Sequence, residues 1–346
     1  MFEGKTVAVV VPCHNERTQI ERVVRTMPKF VDRMIVVDDA STDGTAAVVR
    51  RLIEAEGQAP RTVLVERHVN EGPGAAVVAG YQEALRRGID VIAVMDGDGQ
   101  MDPGELHLLV GPVARGEADY SKGNRLFYEK AWETTPKHRY LGNALLSMLT
   151  KIASGYWHVA DSQTAYTAIS REALGFIHLE SVYTGYGYPN DLLVRLNVFD
   201  MRVANVPIRP IYRVGEVSSM RLWKVIPTIS WLILKRFLWR MGEKYIVHDF
   251  HPLVLFYAAA ASFALAAAVL FVRLVWVWVA TGRIPAMNAI LWTMCVITSI
   301  QLGLFAMWFD MERNRHLRVA VRRGNGRPPP PADPPGKKGT PDEGKG

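Results

Sequence analysis

Asp96 and Asp98 stand one residue apart in the run VIAVMDGDGQMDP, Val91 to Pro103. With Gly97 between them and Gly99 after, both carboxylates can turn toward one hard cation. Mg²⁺ and Mn²⁺ take such oxygen ligands and tend to share them with a substrate's phosphates. Gln100 adds an amide oxygen to the same set. The apolar run before them (Val91, Ile92, Val94) reads as a buried parallel strand that stops at the carboxyl edge of a sheet. Open α/β sheets bind their ligands at that edge. An ordinary Asp/Gly turn has the same letters, so the carboxylate pair alone decides nothing.

The arrangement occurs twice more upstream. Thr6 to Val11 is an apolar run closed by Pro12-Cys13-His14-Asn15-Glu16, and Met34 to Val37 is closed by Asp38-Asp39-Ala40-Ser41-Thr42-Asp43. Repetition at one sheet edge is a stronger signal than any single motif. The elements between must position these turns. Ile20, Val23, Val24 and Met27 have helical spacing; Gly44 to Glu56 reads as a helix with Asp43 at its N-cap. Val63 to Val65 is a third strand, Asn70 to Gly74 a loop, and Ala75 to Arg87 a helix. Four alternations of strand and helix predict a doubly wound α/β domain. From Pro103 the pattern loosens. Helices are expected over Glu105–Ala114, His138–Ile152, Arg171–Ile177 and Pro189–Phe199, with short strands at Tyr120–Arg125, Gln163–Ile169 and Val203–Ile208.

The net charge of +7 over 346 residues is compatible with nucleic acid, a membrane surface or a phosphorylated ligand. Two long apolar runs near the C-terminus favour the membrane and no nucleic acid. Leu253 to Val272 carries no charge, Arg273 interrupts, and Pro285 to Phe309 is a second uncharged stretch. Each matches the ~20 residues that cross a bilayer. Trp276, Trp278 and Trp308 lie near their ends, as interfacial anchors do. The outer flanks are basic and the loop between holds one arginine, which puts the large flanks in the cytosol. Leu222 to Ile246 mixes Trp223, Trp231, Phe237 and Trp239 with Lys224, Lys235, Arg236, Arg240 and Lys244. That reads as a basic interfacial helix, or else as a core-facing one. His248 and His251 just before the first span suggest either a metal site or an interface turn. The expected organisation is a catalytic domain over 1–215, interfacial helices over 216–250, two transmembrane helices over 251–311, and a basic disordered tail over 312–346. Two cysteines, Cys13 and Cys295, support no disulfide framework. Arg273 and the alanine-rich first span suit helix packing, which leaves a homo-oligomer open.

The turns Pro12–Glu16, Asp38–Thr45, Asn70–Ala76 (NEGPGAA) and Asp96–Gln100 resemble, in order and spacing, those of the family 2 glycosyltransferases with the GT-A fold. The resemblance runs from about Lys5 to Arg213 and is nearest to the dolichyl- and polyprenyl-phosphate hexose synthases. It implies a mixed, doubly wound GT-A sheet. It implies that Pro12, Asn15, Glu16 and Asp39 line a nucleoside pocket, and that Gly72 and Gly74 let the backbone approach the nucleotide. Without it, those glycines read as a plain turn. Asp96 and Asp98, with Gly97 between and Gln100 after, would hold Mg²⁺ or Mn²⁺ against the diphosphate. Arg125, Arg139 and Asn143 match positions that grip an acceptor phosphate, for which the arginine fork is suited; the alternative is surface arginines on a helix. Asp161 falls where the family has an aspartate near the sugar, although Ala165 replaces a usual glycine. Arg213 matches a segment that closes over the donor phosphates, with Arg221 in place of a usual lysine. Asp191 lies near the family's base position. It either bonds sugar hydroxyls or caps a helix, because a phosphate acceptor needs little deprotonation.

The resemblance implies transfer of one hexose, with inversion, from a nucleotide sugar to polyprenyl or dolichyl phosphate at the cytosolic face of a lipid bilayer. Asp96-Gly97-Asp98-Gly99 departs from the D-A-D form common in the mannosyl enzymes, which favours a UDP-sugar over GDP-mannose. A processive polysaccharide synthase is disfavoured, because no Q-x-x-R-W precedes the spans. A glycosyltransferase for another lipid, and a non-catalytic nucleotide-sugar-binding scaffold, are the remaining alternatives.

Overall fold

The apolar run that opens the chain becomes β1, Val7–Cys13, buried at every position. A computed structural model describes residues 1–57, 61–127, 137–209, 211 and 222–320, with backbone alone at 127, 137–144 and 222–226. Around β1 lie β2 (Arg33–Asp39), β3 (Thr62–Arg67) and β4 (Val91–Val94), all parallel, with β1 between β2 and β4. The sheet continues through β6 (Thr167–Ser170), antiparallel to β4, then β5 (Tyr120–Asn124) and β7 (Val203–Pro207). With a last short strand β8 (Arg318–Val319), the order is β3-β2-β1-β4-β6-β5-β7-β8. Parallel strands buried on both faces need no polar alternation, which is why β1 and β4 read as continuous apolar runs.

Helices cover both faces. Val7, Val9 and Val11 pack with α1 (Ile20–Thr26), α2 (Thr45–Glu56) and α4 (Leu106–Ala114). Ala8 and Val10 pack with α3 (Pro73–Arg86), α6 (Arg171–Phe176) and α7 (Tyr188–Val198). Helix α3 lies so close to β1 that a Cβ on Gly80 would come 2.2 Å from Val10 Cγ1. Asp43 serves α2 from just outside it, its Oδ1 accepting from Thr45 N at 2.9 Å.

Helix α5 (Lys137–Ser154) packs on α7 and on α8 (Leu222–Gly242), with Leu146, Ala153, Val194, Ile229 and Ile233 in one small core. Helix α8 orients its charges differently from the interfacial expectation. Arg236, Arg240 and, in the following turn, Lys244 recur every four residues and so share one face. That face turns inward. Arg240 is 0% and Lys244 3% exposed, whereas Trp231 is 67% and Leu238 61% exposed. Trp231, Leu234, Lys235 and Leu238 make an outward stripe that is apolar but for one lysine. The reversal has a physical cause: carboxylates on neighbouring elements (Asp191, Asp200, Asp310) supply partners for the inward cations.

Helices α9 (Leu253–Thr281) and α10 (Ala286–Arg313) are long and apolar enough to cross a membrane, with mean hydropathy 2.3 and 1.8 in their most apolar windows. They pack side by side. Ser299 Oγ donates to Ala260 O at 2.9 Å, and Asn288 Nδ2 to Leu270 O at 3.0 Å.

The chain then returns to the sheet. A short turn, Arg315–Leu317, leads into β8 (Arg318–Val319), which pairs in parallel with β7. The tail expected from residue 312 therefore begins inside the fold, because Leu317 (1% exposed) enters the core beside Val203. Residues 321–346 lie outside the described residues.

Candidate active site

The parallel register brings the three polar turns to one edge. Cys13 pairs with Asp38 across β1 and β2, Asp39 pairs with Arg67 across β2 and β3, and Gly97 N donates to Pro12 O at 3.1 Å just past β4. Gly97 allows this closeness, since a Cβ there would meet Cys13 Cβ at 3.0 Å and Pro12 O at 3.2 Å.

Asn15 ties two of the turns together. It adopts φ +60°, receives its own place from Ser41 (N to Oγ, 2.9 Å), and accepts from Thr42 N at 2.8 Å. Glu16 N donates to Thr45 Oγ1 at 3.0 Å. Asp39 is buried and accepts from Gly72 N at 3.0 Å and Arg67 Nη1 at 2.9 Å. Arg67 is a site residue that sequence reasoning passed over. Its signal was an arginine closing the third strand beside the acidic end of the second.

Gly72 (φ +100°) and Gly74 do permit a close approach, but of the chain to itself. Gly74 N donates to Thr184 O at 2.7 Å, and a Cβ on Gly74 would lie 2.2 Å from Tyr183 O. The loop before α7 thus seats on the start of α3.

Asp96, Asp98 and Gln100 are half-buried at the head of this edge. Gln100 N donates to Asp98 Oδ1 at 2.9 Å, which turns that carboxylate back over the loop. Burial, then the charge of Asp98, raises the Asp96 carboxyl above its usual range, with Arg125 opposing. Burial, then Asp98 and Asp43, raises Glu16 to about 7. Crowded carboxylates of this kind are relieved by a bound cation. Among the described residues no group of three or more His, Cys, Asp or Glu side chains is arranged to hold a metal. Asp96 and Asp98, with Gln100, suit an ion that takes two carboxylates and leaves other positions to phosphates, the habit of Mg²⁺ and Mn²⁺. His251 is occupied otherwise, accepting from Leu253 N at 3.2 Å where α9 begins.

Arg125 and Asp161 come together as a fork. Nε lies 2.7 Å from Oδ2 and Nη2 3.1 Å from Oδ1. Burial pushes the Asp161 carboxyl up, but the charge and hydrogen bonds of Arg125, aided by Lys122, hold it below the usual range. Lys122, inside β5, is fully buried, donates to Thr164 O at 2.5 Å, and is lowered to about 7 by that burial. It too escaped the sequence reading, although a lysine within a short strand was its signal.

Asp191 is not placed to bond sugar or to act as a base. Its side chain is 0% exposed; it accepts from Tyr183 N at 2.7 Å, Arg195 Nε at 3.2 Å and Arg236 Nη2 at 3.2 Å, with Arg236 Nε in ion-pair contact at 2.5 Å. Two cations and an amide saturate it because α8 closes over the start of α7. Arg139 and Asn143 fall on α5 where side chains lie outside the described residues, and Arg213 and Arg221 lie outside them altogether.

The model of glycosyl transferase family 2 matches residues 8–176. The polyprenol monophosphomannose synthase of Mycolicibacterium smegmatis is 32% identical over 215 residues, 61% of this chain and 80% of that protein. This chain belongs to glycosyltransferase family 2. The undecaprenyl-phosphate mannosyltransferase of Micrococcus luteus is similar at 30% identity, over 62% of this chain and 87% of that protein. The UDP-N-acetylglucosamine–dolichyl-phosphate N-acetylglucosaminyltransferase of Methanococcus voltae is 27% identical over 60% and 86% respectively. The family 2 chain is an enzyme of the glycosyltransferase class, and its doubly wound mixed sheet is the GT-A fold. The matched region holds all four polar turns and the Arg125–Asp161 pair, while α7 to α10 lie beyond it.

Proposed function

We propose that the protein transfers one hexose from a nucleotide sugar to polyprenyl or dolichyl phosphate, with inversion at the anomeric carbon. The observation that carries this reading is the convergence of Asp39, Asp96 and Asp98 at one sheet edge, in a chain that also holds two helices able to cross a bilayer. Similar proteins whose names specify dolichyl, polyprenol and undecaprenyl phosphate acceptors support the acceptor class. Those names divide between N-acetylglucosamine and mannose, and the Asp96-Gly97-Asp98-Gly99 sequence favours a UDP-sugar.

Asp39, oriented by Arg67, accepts a hydrogen bond from the base. Asp96 and Asp98, with Gln100, hold Mg²⁺ or Mn²⁺, which when bound neutralises charge on the departing diphosphate. Arg125, its plane fixed by Asp161, contributes its positive charge to phosphate binding. An acceptor phosphate oxygen attacks the anomeric carbon in line. The bond from that carbon to the diphosphate oxygen breaks, and the nucleoside diphosphate leaves with the electron pair. The nucleophile is already an anion, so no base is required, in keeping with the sealed Asp191. An alcohol acceptor would need a base at that place. The catalytic face and both chain termini are assigned to the cytosol from the basic flanks.

The deciding experiment offers labelled UDP-glucose, UDP-N-acetylglucosamine and GDP-mannose with polyprenyl phosphate and Mn²⁺ or Mg²⁺, beside Asp98→Ala. One donor yielding a lipid-linked product that vanishes in Asp98→Ala is the expected result. No product from folded, nucleotide-binding protein would defeat the reading in favour of another acceptor or a scaffold.

A further inference from the structure

A buried polar cluster with no part in the chemistry lies where α10 ends. Asp310, in the last turn of α10, and Asn314, its C-cap, are 0% and 3% exposed. Asp310 accepts from Arg240 Nη2 at 2.9 Å, from the Tyr245 hydroxyl at 2.7 Å and from Asn314 Nδ2 at 3.0 Å. The catalytic domain answers from the other side through Asn197 on α7. Its Oδ1 accepts from Arg240 Nη1 at 3.1 Å and from Lys244 Nζ at 3.0 Å, and its Nδ2 donates to Asn314 Oδ1 at 2.9 Å. Arg240 also reaches Ile152 O on α5 at 3.0 Å. Gly155 makes the room, since a Cβ there would lie 2.1 Å from Arg240 Nη1. A few residues on, β8 enters the sheet beside β7.

Simple tethering of a domain to a membrane needs only a linker and some apolar contact. Here the contact is a desolvated, directional network that draws on α5, α7, α8 and α10. Of these side-chain groups Arg240 Nε alone lacks a hydrogen-bond partner; a buried network so nearly satisfied selects one arrangement rather than merely adding attraction. The β8 ladder is a second attachment, and two attachments remove rotation about either one.

We propose that Arg240 and Asp310 are positioning residues that fix the height and tilt of the catalytic cleft above the bilayer, so that a membrane-embedded phosphate acceptor meets it in one geometry. The proposal rests on the acceptor class given above. The cluster acts through the domain's orientation and touches no reacting atom.

The test uses the full chain in nanodiscs of phosphatidylcholine and phosphatidylglycerol. A donor dye is attached through Glu54→Cys, in a Cys295→Ala background, with dye-labelled lipid headgroups as energy-transfer acceptors. Two variants are compared with this parent: Asp310→Asn, and the double replacement Arg240→Met with Asp310→Leu. The second exchanges the ion pair for apolar volume, which commonly leaves stability intact. Expected is a broader distribution of dye-to-membrane distance in both variants, with UDP affinity unchanged. KM for long-chain polyprenyl phosphate in the disc should rise roughly tenfold, while turnover of a water-soluble short-chain prenyl phosphate is kept. A distribution as narrow as the parent's in the folded double variant overturns the proposal, as does equal loss with both acceptors. If the unmodified protein glycosylates neither acceptor, the functional reading fails, and the distance distribution still decides the positioning role.

Discussion

Arg125 grips Asp161 through Nε at 2.7 Å and Nη2 at 3.1 Å, so two residues expected to serve different substrates hold one another first. The pairing sets the plane of the guanidinium, whose side chain is 34% exposed. Asp161→Asn weakens the fork and removes the charge that balances Arg125 and Lys122. Transfer should fall about 10²- to 10³-fold, as for loss of a preorganised group that stabilises charge. Nucleotide affinity, measured by calorimetry, should change little, because Asp39 and Arg67 lie on other strands.

Asp191 gives a prediction of the opposite kind. Removing a buried carboxylate strands Arg195 and Arg236, a loss of about 3–5 kcal/mol for a broken buried pair. Asp191→Ala should unfold at markedly lower temperature. Asp191→Asn retains the hydrogen bond from Tyr183 N and should fold with near-parental kcat. A folded Asp191→Asn protein devoid of turnover would restore the base.

Gly74→Ala tests how α3 meets the 183–185 loop. The added methyl would lie 2.2 Å from a backbone carbonyl oxygen, so the loop must move. Overpacking of this sort costs about 1–3 kcal/mol. Chemical denaturation should report that loss, and the shift of the loop should loosen the hold of Gly72 N on Asp39.

His158 predicts a pH dependence of stability. Burial lowers its pKa from 6.5 to about 4, and Nε2–H donates to Val203 O at 2.9 Å. The folded protein keeps the imidazole neutral where the unfolded chain binds a proton. Stability is therefore full above about 6.5 and falls as the pH drops toward 4, below which both states are protonated. The loss should total on the order of 3 kcal/mol. His158→Gln should flatten that part of the profile in denaturation curves taken at successive pH values.

The sheet was legible because its strands are buried on both faces and therefore spell themselves as apolar runs, Thr6 to Val11 most plainly. The polar turns were legible because each interrupts such a run at the same edge. The inward face of α8 was not. The four-residue spacing of Arg236, Arg240 and Lys244 defines a face but not its direction, and direction is decided by carboxylates as distant in sequence as Asp191 and Asp310. Asp191 was misjudged for the same reason, since its two arginines come from different helices. Strand β8 is two residues long, too short for any periodicity, and its partner β7 lies more than a hundred positions away. Gly74 was expected to let the backbone approach a nucleotide, and its closeness to Tyr183 could be named only from the fold.

The return of the chain into the sheet at β8 has a consequence for biogenesis. The last strand emerges from the ribosome only after both long helices, so the sheet edge at β7 stays open while they are being synthesised. Arg240 waits for Asp310 over the same interval, a cation made seventy residues before its counter-ion. Completion of the sheet is thus tied to the synthesis and packing of the two long apolar helices. A chain cut before Leu253 would be left with that edge unsealed and that guanidinium unmatched.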